Sequence, residues 1–185
     1  PVVMDFAPQP KALGEIVALD RITLVQGDVL QPLPLIGALK AHGITAIVHT
    51  AANPLLTLGA QRDPYPAINL NIMGTVNVLE AVRCSESVRV VVCITSDKCY
   101  ENKEWFWGYR ENERMGGRDP YSSSKGCAEL IISAYRNSYF SLETHERHGV
   151  SLASTRAGNV IGGGDWAKDR LIPDIMNALM DKRPV

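Results

Sequence analysis

The chain has 185 residues, 45% of them hydrophobic and 21% charged, with a formal net charge of −1. That is ordinary globular usage, in a chain long enough for one domain with a sizeable core. A general nucleic-acid or membrane surface would call for a basic excess, and no apolar run approaches the roughly 18 residues of a membrane span.

Val2 to Phe6 is a short apolar run carrying Asp5 near its end, and it predicts a first strand. A proline-bearing loop comes next, with Pro8 and Pro10. Arg21 to Gln26 reads as a second strand, ended by Gly27-Asp28-Val29. Leu33 to Ala41 has helical spacing; Pro32 and Pro34 sit at its start, where proline is tolerated, and Gly43 acts as a stop. Thr45 to Thr50 is a third β-rich run, leading into Ala51-Ala52. Ile68, Ile72, Val76, Leu79 and Val82 recur at helical spacing. Val88 to Thr95 is nearly continuous β-branched sequence, as suits a strand buried on both faces of a parallel sheet. Tyr121 to Tyr139 predicts an amphipathic helix, Val150 to Arg156 a fifth strand, and Leu171 to Met180 a last helix. Strands alternate with helices and no Asn-Gly hairpin signal occurs. The expected fold is therefore α/β, a Rossmann-like doubly wound parallel sheet in one domain over 1–185. The 101–120 stretch between strand and helix is long and mixes aromatics with charges, a length typical of functional or disordered loops.

In such sheets ligands bind beyond the carboxyl ends of the strands, so chemistry is sought in the residues just past each strand. Asp5 can accept hydrogen bonds from ribose hydroxyls, which favours NAD over NADP; a solvated loop aspartate is the other reading. Asp28 and Val29 could hold the adenine, and the small Ala51 and Ala52 let the backbone approach a dinucleotide. The fourth strand ends in Ser96-Asp97-Lys98, with Tyr121-Ser-Ser-Ser-Lys125 further along the chain. Tyr121 and Lys125 are i,i+4 and share a helix face. A phenol is a poor base at neutral pH, and a neighbouring ammonium favours its phenolate. A bare Tyr-x-x-x-Lys is common by chance; its place after a strand ending in Ser and Asp is what makes it specific. Asp97 beside Lys98 offers an acid and a base, but only if burial leaves the lysine neutral and the carboxyl protonated. A plain surface ion pair is the alternative. Cys84, Cys93, Cys99 and Cys127 form no Cys-x-x-Cys pair, and His42, His49, His145 and His148 are not clustered with them. Reduced cytosolic thiols and no metal site are expected.

Several strings carry a resemblance: Thr95 through Asn102, Trp107 through Asn112, Met115-Gly-Gly, Asp119 through Leu130 and Arg156 through Trp166. Between about Val88 and Asp174 they resemble the nucleotide-sugar 4,6-dehydratases of the extended short-chain dehydrogenase/reductase superfamily. They are most similar to the branch acting on CDP-glucose, where lysine stands after the aspartate. The earlier half, with Asp28-Val29, His49-Thr-Ala-Ala52 and Asn71 through Asn77, is similar only to the wider superfamily. The resemblance implies a cytoplasmic NAD-dependent lyase that makes a 4-keto-6-deoxy sugar nucleotide, homo-oligomeric when complete. It implies Ser96, Asp97, Lys98, Tyr121 and Lys125 as catalytic, and Asn159 and Arg170 near the sugar-nucleotide diphosphate. The family's first strand and glycine-rich pyrophosphate turn are not found before Asp5, and the substrate lobe is expected to be largely absent after Val185. The chain is thus expected to be a partial domain, poorly stable as a free fragment. A UDP-sugar 4-epimerase-like oxidoreductase and a non-catalytic nucleotide-sugar-binding fragment are the alternatives.

Overall fold

A computed structural model describes residues 1–15, 17–52, 62–166 and 170–184. Within them, strands and helices alternate: β1 (Val2–Asp5), α1 (Pro10–Gly14), β2 (Thr23–Gln26), α2 (Pro32–Ala41), β3 (Ala46–His49), α3 (Pro64–Ile68), α4 (Thr75–Arg83), β4 (Val90–Ser96), α5 (Pro120–Ser138), α6 (His145–His148), β5 (Ser151–Ala157) and α7 (Leu171–Met180). A π-helical segment, Asn69–Gly74, joins α3 to α4. The short α1 occupies what reads in sequence as a proline-bearing loop. Pro10 opens it, at a position where its missing N–H costs nothing.

All the strand pairs are parallel. Val2 pairs with Thr23 in β1–β2, Ala46 with Val90 in β3–β4, and Val90 through Ser96 with Ser151 through Ala157 in β4–β5. The ladders run in the orders β1-β2 and β3-β4-β5. Among the described residues no ladder joins β1 to β3. In a doubly wound sheet of order 3-2-1-4-5-6 the central strand stands at the corresponding place. β4 lies in the middle of its ladder, which explains its β-branched run: neighbours flank it on both sides.

One core serves both ladders. Leu35 and Leu39 of α2 meet Val78, Leu79 and Val82 of α4, Val91 and Cys93 of β4, and Ile132 of α5, with Met4 of β1 packed against them. Each such aliphatic side chain contributes about 1.5–3 kcal/mol by leaving water. Helix α5 is set by its start. Asp119 Oδ1 accepts the Tyr121 and Ser122 N–H groups at 3.0 and 3.1 Å, and Pro120 stands at the first helical position. Gly117 lies against that first turn, where an added Cβ would overlap the Ser122 Cβ. The long loop before α5 contains one antiparallel bridge, Tyr100 to Met115, and exposes Phe106 and Trp107. Among the described residues no helix is long and apolar enough to cross a membrane, and no cluster of three or more His, Cys, Asp or Glu is placed to hold a metal.

Candidate functional site

The site is built where β4 ends. Ser96 is buried and caps a 3-10 turn, Asp97–Cys99: its Oγ accepts the Lys98 N–H at 3.2 Å and donates to Asp97 Oδ1 at 3.1 Å. The Lys98 ammonium lies 3.5 Å from Asp97 Oδ1. Burial of this pair, expected from the chemistry it is assigned, is not what the turn provides. The two side chains are 42% and 52% exposed, because the chain has already left the sheet when it reaches them.

A cleft of about 930 Å³ opens beyond the carboxyl ends of β3, β4 and β5, and its wall includes Ala52, Ser96, Lys98, Tyr121, Lys125 and Asn159. Arg170 is also on that wall, in an ion pair with Asp165 at 2.9 Å. Asp97 faces a second, adjoining hollow of about 520 Å³ on the other side of Lys98. Seven residues singled out in the sequence are thus brought to one cleft. Asp5, Asp28, Val29 and Ala51 are not on its wall. Asp5 and Asp28 each bind a nearby backbone N–H at 2.8 Å, that of Ala7 and of Leu30 respectively. Val29 packs on Gly74, so close that a Cβ there would stand 3.0 Å from Val29 Cγ2, and its carbonyl accepts from Asn77 at 2.9 Å.

Lys125 is buried, and that burial holds its pKa below the ordinary lysine value. His49, at the end of β3, is pushed down to about 4, first by its own burial and then by the Lys125 charge. Its neutral ring meets Thr75 Oγ1 at 3.3 Å, and that hydroxyl donates to the Asn71 carbonyl at 2.8 Å. Asn71 in turn donates from its side chain to Ser124 Oγ at 2.8 Å, and Ser124 donates to the Tyr121 carbonyl at 2.7 Å. A buried polar chain therefore ties β3 and the π segment to the first turn of α5, where Tyr121 stands. Sequence reasoning missed it. The signal was polar Asn71 and Thr75, four residues apart, inside an otherwise apolar helical pattern.

The cysteines are inert by environment or simply exposed. Burial pushes Cys93 up to about 12 and Cys99 up to about 11, while Cys84 and Cys127 are exposed free thiols.

Residues 3–185 match the family model described as the NAD dependent epimerase/dehydratase family. The chain belongs to that family. It is 52% identical over 180 residues to the CDP-glucose 4,6-dehydratase of Salmonella typhimurium, covering 97% of this chain and 50% of that protein. It is 34% identical to a dTDP-glucose 4,6-dehydratase of Mycolicibacterium smegmatis, covering 98% of this chain and 50% of that protein. The likeness to the CDP-glucose enzyme thus runs through the first half of the chain, which in sequence had looked similar only to the wider superfamily. Among solved structures, a double mutant of the dTDP-glucose 4,6-dehydratase DesIV from Streptomyces venezuelae, with NAD bound, superposes with a TM-score of 0.81 at 24% identity, over 98% of this chain and 52% of that one. That likeness speaks for the Rossmann fold. The chain spans about half the length of the curated relatives it matches.

Proposed function

We propose that residues 1–185 form the cofactor and catalytic part of an NAD-dependent lyase that converts CDP-glucose to CDP-4-keto-6-deoxyglucose. One observation carries the reading: Ser96, Lys98, Tyr121 and Lys125 line a single cleft, with Asp97 paired to Lys98 at its edge. The 52% identity to a CDP-glucose 4,6-dehydratase supports the choice of substrate.

The residues present suit NAD in the character of their donors: Tyr121 and Lys125 for its nicotinamide half, Ala51 and Ala52 as close-approach positions, and Asp5, Asp28 and Val29 for ribose and adenine. NAD bound there would supply the hydride acceptor for oxidation at C4 and, after water is lost, the donor that returns the hydride to C6 as C5 regains a proton. Ser96 orients the C4 hydroxyl and Tyr121 removes its proton. Lys125, four residues on along α5, favours the phenolate. With C4 a ketone, the C5 proton becomes acidic, and Lys98 takes it while Asp97 protonates the departing C6 hydroxyl. The ion pair seen between these two lies one proton away from that working state. Transfer from the ammonium to the carboxylate leaves a neutral base and a neutral acid, and exclusion of water around bound substrate favours the uncharged pair. Asn159 and Arg170 are assigned to the diphosphate, Arg170 exchanging Asp165 for a phosphate oxygen. The cytoplasm is the compartment that goes with this reading and with four free thiols. A homo-oligomer belongs to it too, supported by exposed Tyr65, Ile68, Met73 and Leu130 on helices packed together.

The test uses the full-length protein with CDP-glucose in deuterated water. Tyr121→Phe stops hydride transfer and everything after it. Lys98→Ala still oxidises C4 but does not exchange the C5 proton. Asp97→Asn exchanges that proton and slows loss of the C6 hydroxyl. Deuterium entering C5 at the wild-type rate in Lys98→Ala would remove lysine as the base and favour an epimerase-like chemistry.

A further inference from the structure

We propose that Arg156 is the positioning residue of the Asp97–Lys98 turn, acting through Tyr100 and held in place by Glu129. The inference rests on the assignment of Asp97 and Lys98 to the elimination step.

Arg156 stands on β5 opposite Thr95 of β4. Its guanidinium reaches three separate parts of the fold. It binds Glu129 Oε2 of α5 at 2.9 Å, the Tyr100 hydroxyl at 2.7 Å and the Glu111 carbonyl at 2.7 Å, and it lies 4.9 Å above the Tyr100 ring. Glu129 is four residues beyond Lys125 and eight beyond Tyr121, on the same face of α5. It is buried, also accepts from Thr95 and Ser154, and stays ionised: burial alone would raise its pKa, but the Arg156 and Thr95 hydrogen bonds outweigh that and bring it below the usual range. Tyr100 closes the 3-10 turn, its N–H directed at the Asp97 carbonyl at 3.4 Å. Its ring stacks on Tyr109 at 5.2 Å, and Tyr109 OH binds Asn102. The turn is pinned from the helix side as well, where Gly126 lets the Cys99 carbonyl approach so closely that a Cβ would meet it at 3.3 Å.

Arg156 and Glu129 are not among the residues lining either hollow. Their effect on chemistry must pass through the turn. Ser96 is different, since the β4 ladder already holds it, and Tyr121 is held by the Asp119 cap. The geometry therefore separates two steps. Loosening the Arg156–Tyr100 contact leaves C4 oxidation in place and displaces only the acid and base that act at C5 and C6. A misplacement of about 1 Å costs on the order of 100-fold in such chemistry.

Arg156→Lys keeps a cation for Glu129 but loses the planar fork that also grips Tyr100 and Glu111. Tyr100→Phe keeps the ring and removes only the hydroxyl. Each is made in the full-length enzyme with NAD and tracked through a single turnover of CDP-glucose in deuterated water. Reduced nicotinamide reports C4 oxidation, and mass reports C5 exchange and water loss. The expected result is oxidation within about twofold of wild type, with exchange and water loss slowed by about 10- to 100-fold in Arg156→Lys and several-fold in Tyr100→Phe. Equal slowing of all steps would mean a general structural role and would overturn the proposal, as would no slowing of either step. Lys98→Ala run alongside keeps the two ideas apart. If it exchanges C5 normally, the acid-base assignment has failed and this inference fails with it. If it does not, and Arg156→Lys is normal, the inference alone has failed.

Discussion

His49 provides a pH switch on stability whose size can be worked out in advance. The residue is 7% exposed, and burial together with the Lys125 charge lowers its pKa from 6.5 to about 4. The unfolded chain therefore takes up a proton in a range where the folded chain does not. Stability from this group is complete above pH 6.5 and is lost as pH falls through the folded value near 4. The gap is worth ~3 kcal/mol at ~1.4 kcal/mol per pH unit, and about 2 kcal/mol of it is gone by about pH 5. The measurement is urea unfolding at about pH 7.5 and 5, comparing wild type with His49→Gln, which retains a donor for Thr75. The variant should be less sensitive to acid by about 2 kcal/mol. Selective labelling of the imidazole should show a midpoint near 4 by NMR in the folded protein. Equal acid losses in the two proteins, or a midpoint near 6.5, would refute the argument that this histidine is buried neutral.

Gly117→Ala should destabilise the protein by about 1–3 kcal/mol, read as a fall in thermal midpoint, because its Cβ would overlap Ser122 in the first turn of α5. An unchanged midpoint would show that the turn shifts freely. The full-length protein should bind NAD more tightly than NADP, since Asp5 would face a 2′-phosphate with like charge. Asp5→Ser should narrow the ratio of dissociation constants by about fivefold, as expected for ~1 kcal/mol between charges ~4 Å apart in water. Tighter NADP binding by wild type would refute the assignment.

The order of strands and helices was legible in the sequence because each element advertises itself locally. Val90 to Ile94 is apolar throughout since β4 is flanked on both sides, and Tyr121 and Lys125 share a face by helical spacing alone. The acid-base string after β4 was legible for the same reason: adjacent residues stay adjacent. The proline-bearing α1 was not, because Pro10 signals a helix start and a loop equally well. What only the tertiary structure decided is which residues meet from different elements, and what solvent they see. The exposure of Asp97 and Lys98 results from the turn leaving the sheet. The chain from His49 through Thr75, Asn71 and Ser124 depends on how β3, the π segment and α5 pack. Arg156 meets Glu129 across 27 residues of chain because α5 lies on β5, a relation that no spacing within either element encodes. Burial decides whether a histidine or lysine keeps its proton, and burial is a property of the assembled core rather than of any one segment.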